Sequence, residues 1–420
     1  MHCSRRRPLA VLAARSPGVR HGGRLRQWVI APTVVGAALV LLGGCASEYR
    51  GGSVAADRGA ASASTAALPE GPLDVEQAYI IGPSAAAKLG FRIDWQYGVG
   101  RRPLRRFAVQ HDSVFILDER NYLTRLRREE GDRLWEIPVG GGPMEDIQGI
   151  TFVSAAEKVY LTSGGELLVL DAVNGSQVAK QKLGRIAATE PIVVGQFFIY
   201  GSRRGQVVWH SYTMGSEWRG YQVSHSIQIP PVYHDGHIVA VGNDGRVMCL
   251  RADSATQVWS KKALAPVVAA PKVGNDAVYV ASRDQHLRAY ELTRARSPLW
   301  EYLTESPLTE SPVLIDDRVY QQVPTEGLVC LEALPLDSPG GVVIWRAEEA
   351  TGSVLTQLRD TLITWDAGAR ELALVDARLG AVIETFDMPQ VDKIIATDVR
   401  RGDIYATGHD GRIIRLVPRT

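Results

Sequence analysis

A unit of about forty residues recurs along this chain, and that repeat limits the fold more than any other feature of the sequence. Its best-kept copy, residues 231–259, reads PVYHDGHIVAVGNDGRVMCLRADSATQVW. Residues 237–241 form a β-rich run, Asn243-Asp244-Gly245 signals a tight turn, 246–250 form a second run, and Trp259 opens a third after a polar loop. A lone β-meander cannot bury both of its faces. Copies that cover one another can, so the expected fold is a closed array of small sheets.

Taking Gly245 as the reference point, equivalent positions fall at Asn121, Gly165, Gly205, Gln285, Glu326, Arg370 and Gly411; over the eight points the intervals are 44, 40, 40, 40, 41, 44 and 41. Pro191, Pro231, Pro271 and Pro312 each lie 14 residues before their reference point. Two markers moving in step predict an all-β, eight-bladed propeller with four antiparallel strands per blade. Proline cannot donate to a ladder, so these four are expected on the innermost strands, whose free edges face the channel. Trp135, Trp259, Trp300 and Trp345, with Trp218 near their register, are expected to pack between neighbouring blades. After Gly411 only nine residues follow, too few for a final Trp strand. Residues 89–99 (LGFRIDWQYGV) carry Trp95 with no strands before it, so they are expected to complete the last blade and protect two edges.

Ahead of the repeats, residues 28–42 (WVIAPTVVGAALVLL) form an apolar run of 15, preceded by Arg24 and Arg26. A bilayer span takes about 20 residues, and the shorter run fits the apolar region of an export signal. Leu42-Gly43-Gly44-Cys45 resembles the bacterial lipobox, which implies cleavage before Cys45 and lipidation of that residue. Each buried methylene contributes ~0.8 kcal/mol, so several acyl chains anchor stably where one does not. Ala46, in place of Asp, resembles the outer-membrane sorting pattern of Gram-negative lipoproteins. Residues 46–73 are rich in Ala, Ser and Gly without a hydrophobic period and read as a flexible tether. The expected organisation is a signal peptide over 1–44, a tether over 45–74, a short helix and closing strand over 75–100, and the propeller over 101–420. Pro83 near its start and Gly90 past its end mark the helix.

The formal charge of +1 includes the seven arginines of residues 1–44, a stretch with no Asp, Glu or Lys; removing them leaves 40 basic against 46 acidic side chains, about −6. Such a body lacks the concentrated basic footprint that nucleic acid demands.

The segments VYLTSGGELLVLDAVNG (159–175), IVAVGNDGRVMCL (238–250) and DIYATGHDGRIIRL (403–416) resemble the quinoprotein-like (PQQ-repeat) β-propellers, over roughly residue 89 to the end. With the lipobox, the whole resembles the outer-membrane assembly lipoproteins of the BamB family. That resemblance implies an eight-bladed ring and a non-enzymatic, lipid-anchored scaffold on the periplasmic face of the outer membrane. Its expected partners are envelope proteins of the β-barrel assembly machinery, with no cofactor. The alternatives are a PQQ-dependent dehydrogenase or an envelope sensor that binds a ligand in the central channel. A dehydrogenase needs a cation site of carboxylate and amide oxygens and a pocket that sandwiches the quinone, and the family's enzymes often add adjacent cysteines. Here Cys3 and Cys45 belong to the leader and lipobox, and Cys249 and Cys330 sit one whole blade apart. That separation exceeds the roughly 4.4–6.8 Å between Cα atoms that a disulfide allows, so two buried free thiols are expected. His234-Asp235-Gly236-His237 and Asp316-Asp317 read as surface turns with outward side chains; no metal site is expected, since nothing completes a tetrahedral set.

Blade 3 departs most from the pattern. Its run VVWHSYTMGSEWRGYQVSH carries Trp209, Tyr212, Trp218 and Tyr221, and Arg203-Arg204 precede it at a hairpin tip. Tyr, Trp and Arg are enriched in interface hot spots, which makes these six the candidate partner-binding residues. The extended loop of blade 6, residues 334–341, is a second candidate contact.

Overall fold

Strands such as His237–Val241 are buried at every position because both faces of each sheet are covered. Side chains alternate across a strand, so neighbouring residues serve different cores. Val239 and Val241 join one buried cluster with blade 5, whereas Ile238 and Ala240 join another with blade 3. A continuous apolar run is the sequence form of a strand buried on both sides.

The computed structural model describes residues 76–100, 102–140, 146–336 and 338–419. The expected signal peptide, the motif Leu42, Gly43, Gly44 and Cys45, and the tether lie outside the described residues. Eight four-stranded antiparallel sheets form the propeller. Blades 1 to 7 span residues 104–138, 147–182, 192–222, 232–262, 272–303, 313–347 and 353–387. Blade 8 joins three strands within 391–418 to Phe91–Gly98, which pairs antiparallel with Arg412–Pro418 as its outermost strand. The expected closure by the N-terminal strand is therefore observed. In each of blades 1 to 7 the first strand is innermost and the fourth outermost.

The periodic reference positions have a physical basis. Asn121, Gly205, Gly245, Gln285, Arg370 and Gly411 all adopt positive φ at the turn between second and third strands. Gly205 is the strictest case, since a Cβ there would lie 2.0 Å from the Ser224 carbonyl oxygen. The prolines sit one residue from their expected place. Pro191, Pro231, Pro271 and Pro312 immediately precede the inner strands Ile192–Val194, Val232–His234, Lys272–Gly274 and Val313–Ile315. A residue without an N–H ends the linker there and leaves the three-residue ladder intact.

Eight buried clusters, each shared by two adjacent blades, make up the core. Tryptophan latches cross five of these seams. The indole N–H of Trp95, Trp135, Trp259, Trp300 and Trp345 donates to the carbonyl of Arg128, Ala172, Leu292, Ala333 and Ala377 of the next blade, at 2.7–3.1 Å. Where the ring lands, the neighbour often needs a glycine: a Cβ on Gly380 would lie 2.5 Å from Trp345. Blade 2 has Ala179 at the latch position, and Gln181 Nε2 donates instead to the equivalent carbonyl, Tyr212, at 2.8 Å. The Gln181 Oε1 is 3.1 Å from His210 Nε2, which burial holds below the usual imidazole range.

Every outer strand carries a one-residue bulge just before the latch position. In blade 3 the bulged residue is Trp218, so Arg219 takes the latch register. The expectation that Trp218 packs between blades therefore fails. Trp209, on the third strand, crosses that seam and donates to the Ala252 carbonyl at 3.0 Å.

The seam between blades 7 and 8 has Glu384 at the latch position and is covered differently. Ile80, Ile81, Ala86 and Leu89 pack there around the helix Pro83–Lys88, and Lys88 pairs with Glu384 at 2.5 Å. At the seam between blades 8 and 1, Arg415 is buried with a 5% exposed side chain. It bonds Asp403 at 2.8 Å, Asp94 at 3.1 Å and Glu129 at 3.1 Å, tying the N-terminal strand, the last blade and the first blade together.

Candidate partner-docking site

At three blade tips the turn is capped from within. Asp244, Asp284 and Asp410 accept the backbone N–H two residues on, at 3.2–3.3 Å, an arrangement that fixes the turn. Arg204 occupies that position in blade 3, and the equivalent Gln206 N–H goes to Ser202 Oγ at 3.0 Å. Arg203 and Arg204 are exposed, and neither makes an ion pair among the described residues. Blades 1, 2, 6 and 7 also lack an Asp at that position, and what sets this tip apart is its pair of exposed guanidinium groups.

Those groups line a cleft of about 570 Å³ between blades 3 and 4, with Gln222, Val223, Ser224, His225, Asp244 and Arg246. The amide of Gln222 donates to the carbonyl of Arg204 at 2.8 Å and of Ser224 at 2.5 Å, fixing the wall. Burial opposes ionisation of Asp244, but the Ser224 hydroxyl, the Arg246 N–H and the Arg246 charge together hold it below the usual carboxylate range. Arg246 lies 3.8 Å from that carboxylate. Three guanidinium groups and an imidazole face a single acid, on a body whose net charge is negative, so the cleft suits an anionic group.

The six sequence candidates do not converge. Trp209 is fully buried at 0% exposure, and its place in the core overturns its reading as a contact residue. Tyr212 stacks on Phe198 at 4.8 Å, donates to the Gly195 carbonyl at 3.1 Å, and lines a different cleft of about 520 Å³ with Glu190 and Phe152. Tyr221 is half-buried and bonds Gln257 of blade 4 at 3.1 Å. Trp218 is 46% exposed, lies 5.0 Å from the ring of Phe197 and has the Arg219 guanidinium 5.7 Å from its own. Of the six, only Arg203 and Arg204 share the basic cleft. His225, Asp244 and Arg246 were not singled out in sequence, because they look like ordinary linker and turn residues of blade 4.

The turn His234-Asp235-Gly236-His237 differs from expectation at its last residue. His237 is 7% exposed and its Nδ1 lies 2.7 Å from the Asp235 carbonyl oxygen. Asp316 pairs with Arg400. Among the described residues no group of His, Cys, Asp and Glu is placed to hold a metal. Cys249 and Cys330 are free and buried, opposite Trp259 and Trp345 on the adjacent strands.

A family model described as outer membrane protein assembly factor BamB matches residues 198–348, from the second strand of blade 3 through blade 6. An uncharacterised protein of Rickettsia conorii is 20% identical over 156 residues, 36% of this chain, and the chain spans only 38% of that relative's length. The crystal structure of BamB from Moraxella catarrhalis superposes with a TM-score of 0.62 at 15% identity, covering 78% of this chain and 97% of that one. The computationally designed Ika8 protein gives 0.60 at 13% identity, covering 76% and 96%. Identities this low establish the fold and not the activity. Repeat, eight-bladed ring and these likenesses together make the chain a BamB-like PQQ-repeat propeller.

Proposed function

We propose that this protein is a non-catalytic, lipid-anchored scaffold of the bacterial envelope that serves outer-membrane protein assembly, as the description of the matching family model suggests. The observation that carries this reading is the tip of blade 3, where Arg204 replaces a turn-capping Asp and leaves two unpaired guanidinium groups over a basic cleft. Two guanidinium groups outside any ion pair among the described residues, beside a third from Arg246, mark that tip as a contact for an acidic partner. The partner meets this cleft with carboxylates, while the acyl chains on Cys45 hold the propeller at the periplasmic face of the outer membrane.

Affinity capture from detergent-solubilised envelopes tests the reading. The wild-type protein recovers a component of the outer-membrane assembly machinery, and the Arg203→Ala/Arg204→Ala variant loses it. Recovery of no such component, or equal recovery by the double variant, overturns the proposal. Cys45→Ser abolishes acyl labelling and releases the protein from the membrane; retention there refutes the anchor. Dye reduction after reconstitution with PQQ and Ca²⁺ refutes the non-catalytic assignment.

A further inference from the structure

The outer strand of blade 5, Pro298–Leu303, is an edge with little charge to guard it. Its sequence PLWEYL holds one charged residue, Glu301, and that carboxylate lies 3.4 Å from Arg288. Leu299 is 41% and Leu303 63% exposed. The outer strands of blades 2 and 4, QVAKQK and QVWSKK, instead carry the lysines that keep exposed edges apart.

Blade 5 is also, among the described residues, the one blade whose outer strand receives an added segment. The Glu301 N–H donates to the Pro339 carbonyl at 3.1 Å, and the Gly341 N–H donates to the Glu301 carbonyl at 3.0 Å, a parallel bridge. The segment belongs to the long loop of blade 6. Its hairpin is already closed by the Glu332 N–H donating to the Val342 carbonyl at 2.9 Å, so the residues between are not needed to join its strands. The fit over blade 5 is close: a Cβ on Gly341 would lie 2.8 Å from Tyr302 Cβ and 2.9 Å from Leu331 Cδ2. Pro339 has no N–H, so the strap cannot itself extend the sheet as a full donor strand.

We propose that this strap is an edge guard: it occupies the strand-adding edge of blade 5, and without it that edge pairs with the same edge of a second copy. A two-fold axis makes such pairing antiparallel and self-complementary. Leu299 and Leu303 flank Glu301 in sequence, so an axis near Glu301 sets each leucine against the other's counterpart, with the one charge partly offset by Arg288, which Asp284 shares.

Deleting residues 335–340 leaves Ala333, Leu334 and Gly341 as a short hairpin loop. In detergent-solubilised full-length protein, this deletion doubles the light-scattering mass of the chain at tens of micromolar, while the wild type keeps a single-chain mass. Adding Leu303→Lys restores that mass. Gly341→Ala, which lifts the strap by steric contact, produces the same association at higher concentration. A folded deletion variant that stays monomeric, or association that Leu303→Lys leaves unchanged, overturns the proposal. Hydrogen exchange on the wild type is independent of any variant folding: the amides of Glu301 and Gly341 exchange at least tenfold more slowly than that of exposed Leu336, and equal rates refute the guard.

Discussion

Trp209→Phe separates what holds blade 3 in the ring from what blade 3 offers to a partner. Trp209 is wholly buried, and its indole N–H meets the Ala252 carbonyl at 3.0 Å across the seam to blade 4. Phenylalanine keeps a ring but removes the donor, and a buried carbonyl left without its partner costs about 1–3 kcal/mol. The void left by the missing atoms adds to that, giving about 2–4 kcal/mol in all; Trp209→Ala reaches about 3–5 kcal/mol. Trp218→Ala, by contrast, removes a half-exposed ring whose stacking on Phe197 is worth about 0.5–1.5 kcal/mol. Urea unfolding followed by far-ultraviolet circular dichroism reads the difference as a shift in midpoint at constant slope. Envelope capture at a temperature where both variants are folded reads partner binding, which Trp209→Phe leaves intact. A Trp209→Phe protein as stable as wild type, or one that keeps its stability and loses its partner, would refute the assignment of Trp209 to the core.

Three further outcomes follow from buried chemistry. Burial pushes the thiols of Cys249 and Cys330 up to about 12, so these two resist iodoacetamide at pH 8 in the folded protein and react only on unfolding; rapid native labelling of either contradicts this. Burial lowers the pKa of His210, so the unfolded chain binds the extra proton first as pH falls below about 6.5, and stability drops by up to about 1.4 kcal/mol per pH unit. His210→Phe flattens a urea-midpoint profile between pH 6.5 and 5, and an unchanged slope rejects that role. Arg415→Ala removes the buried guanidinium that Asp403 and Asp94 share, while these half-buried carboxylates keep Arg128 and Arg92, and costs about 1.5–3 kcal/mol at the ring closure; a loss below about 0.5 kcal/mol in thermal or urea unfolding rules it out.

The sequence by itself determined the ring. Turn residues at positive φ, prolines ahead of the inner strands and tryptophans on the outer ones recur with the period of the blade, so their spacing alone gave eight blades and the N-terminal closing strand. Four of the six candidate residues did not stay together on folding. A bulge before each latch position shifts register by one, and no composition distinguishes the bulged Trp218 from a latch such as Trp259. Residues 209, 212, 218 and 221 are close in sequence, yet strand alternation and a turn send them to a seam core, a far-face cleft and the rim. Only the tertiary structure decided what lies beside Arg203 and Arg204, because His225 and Arg246 come from a linker and the next blade, and only it placed the blade 6 loop along blade 5. Contacts between blades depend on two copies of the repeat meeting, and each copy's sequence records only its own half.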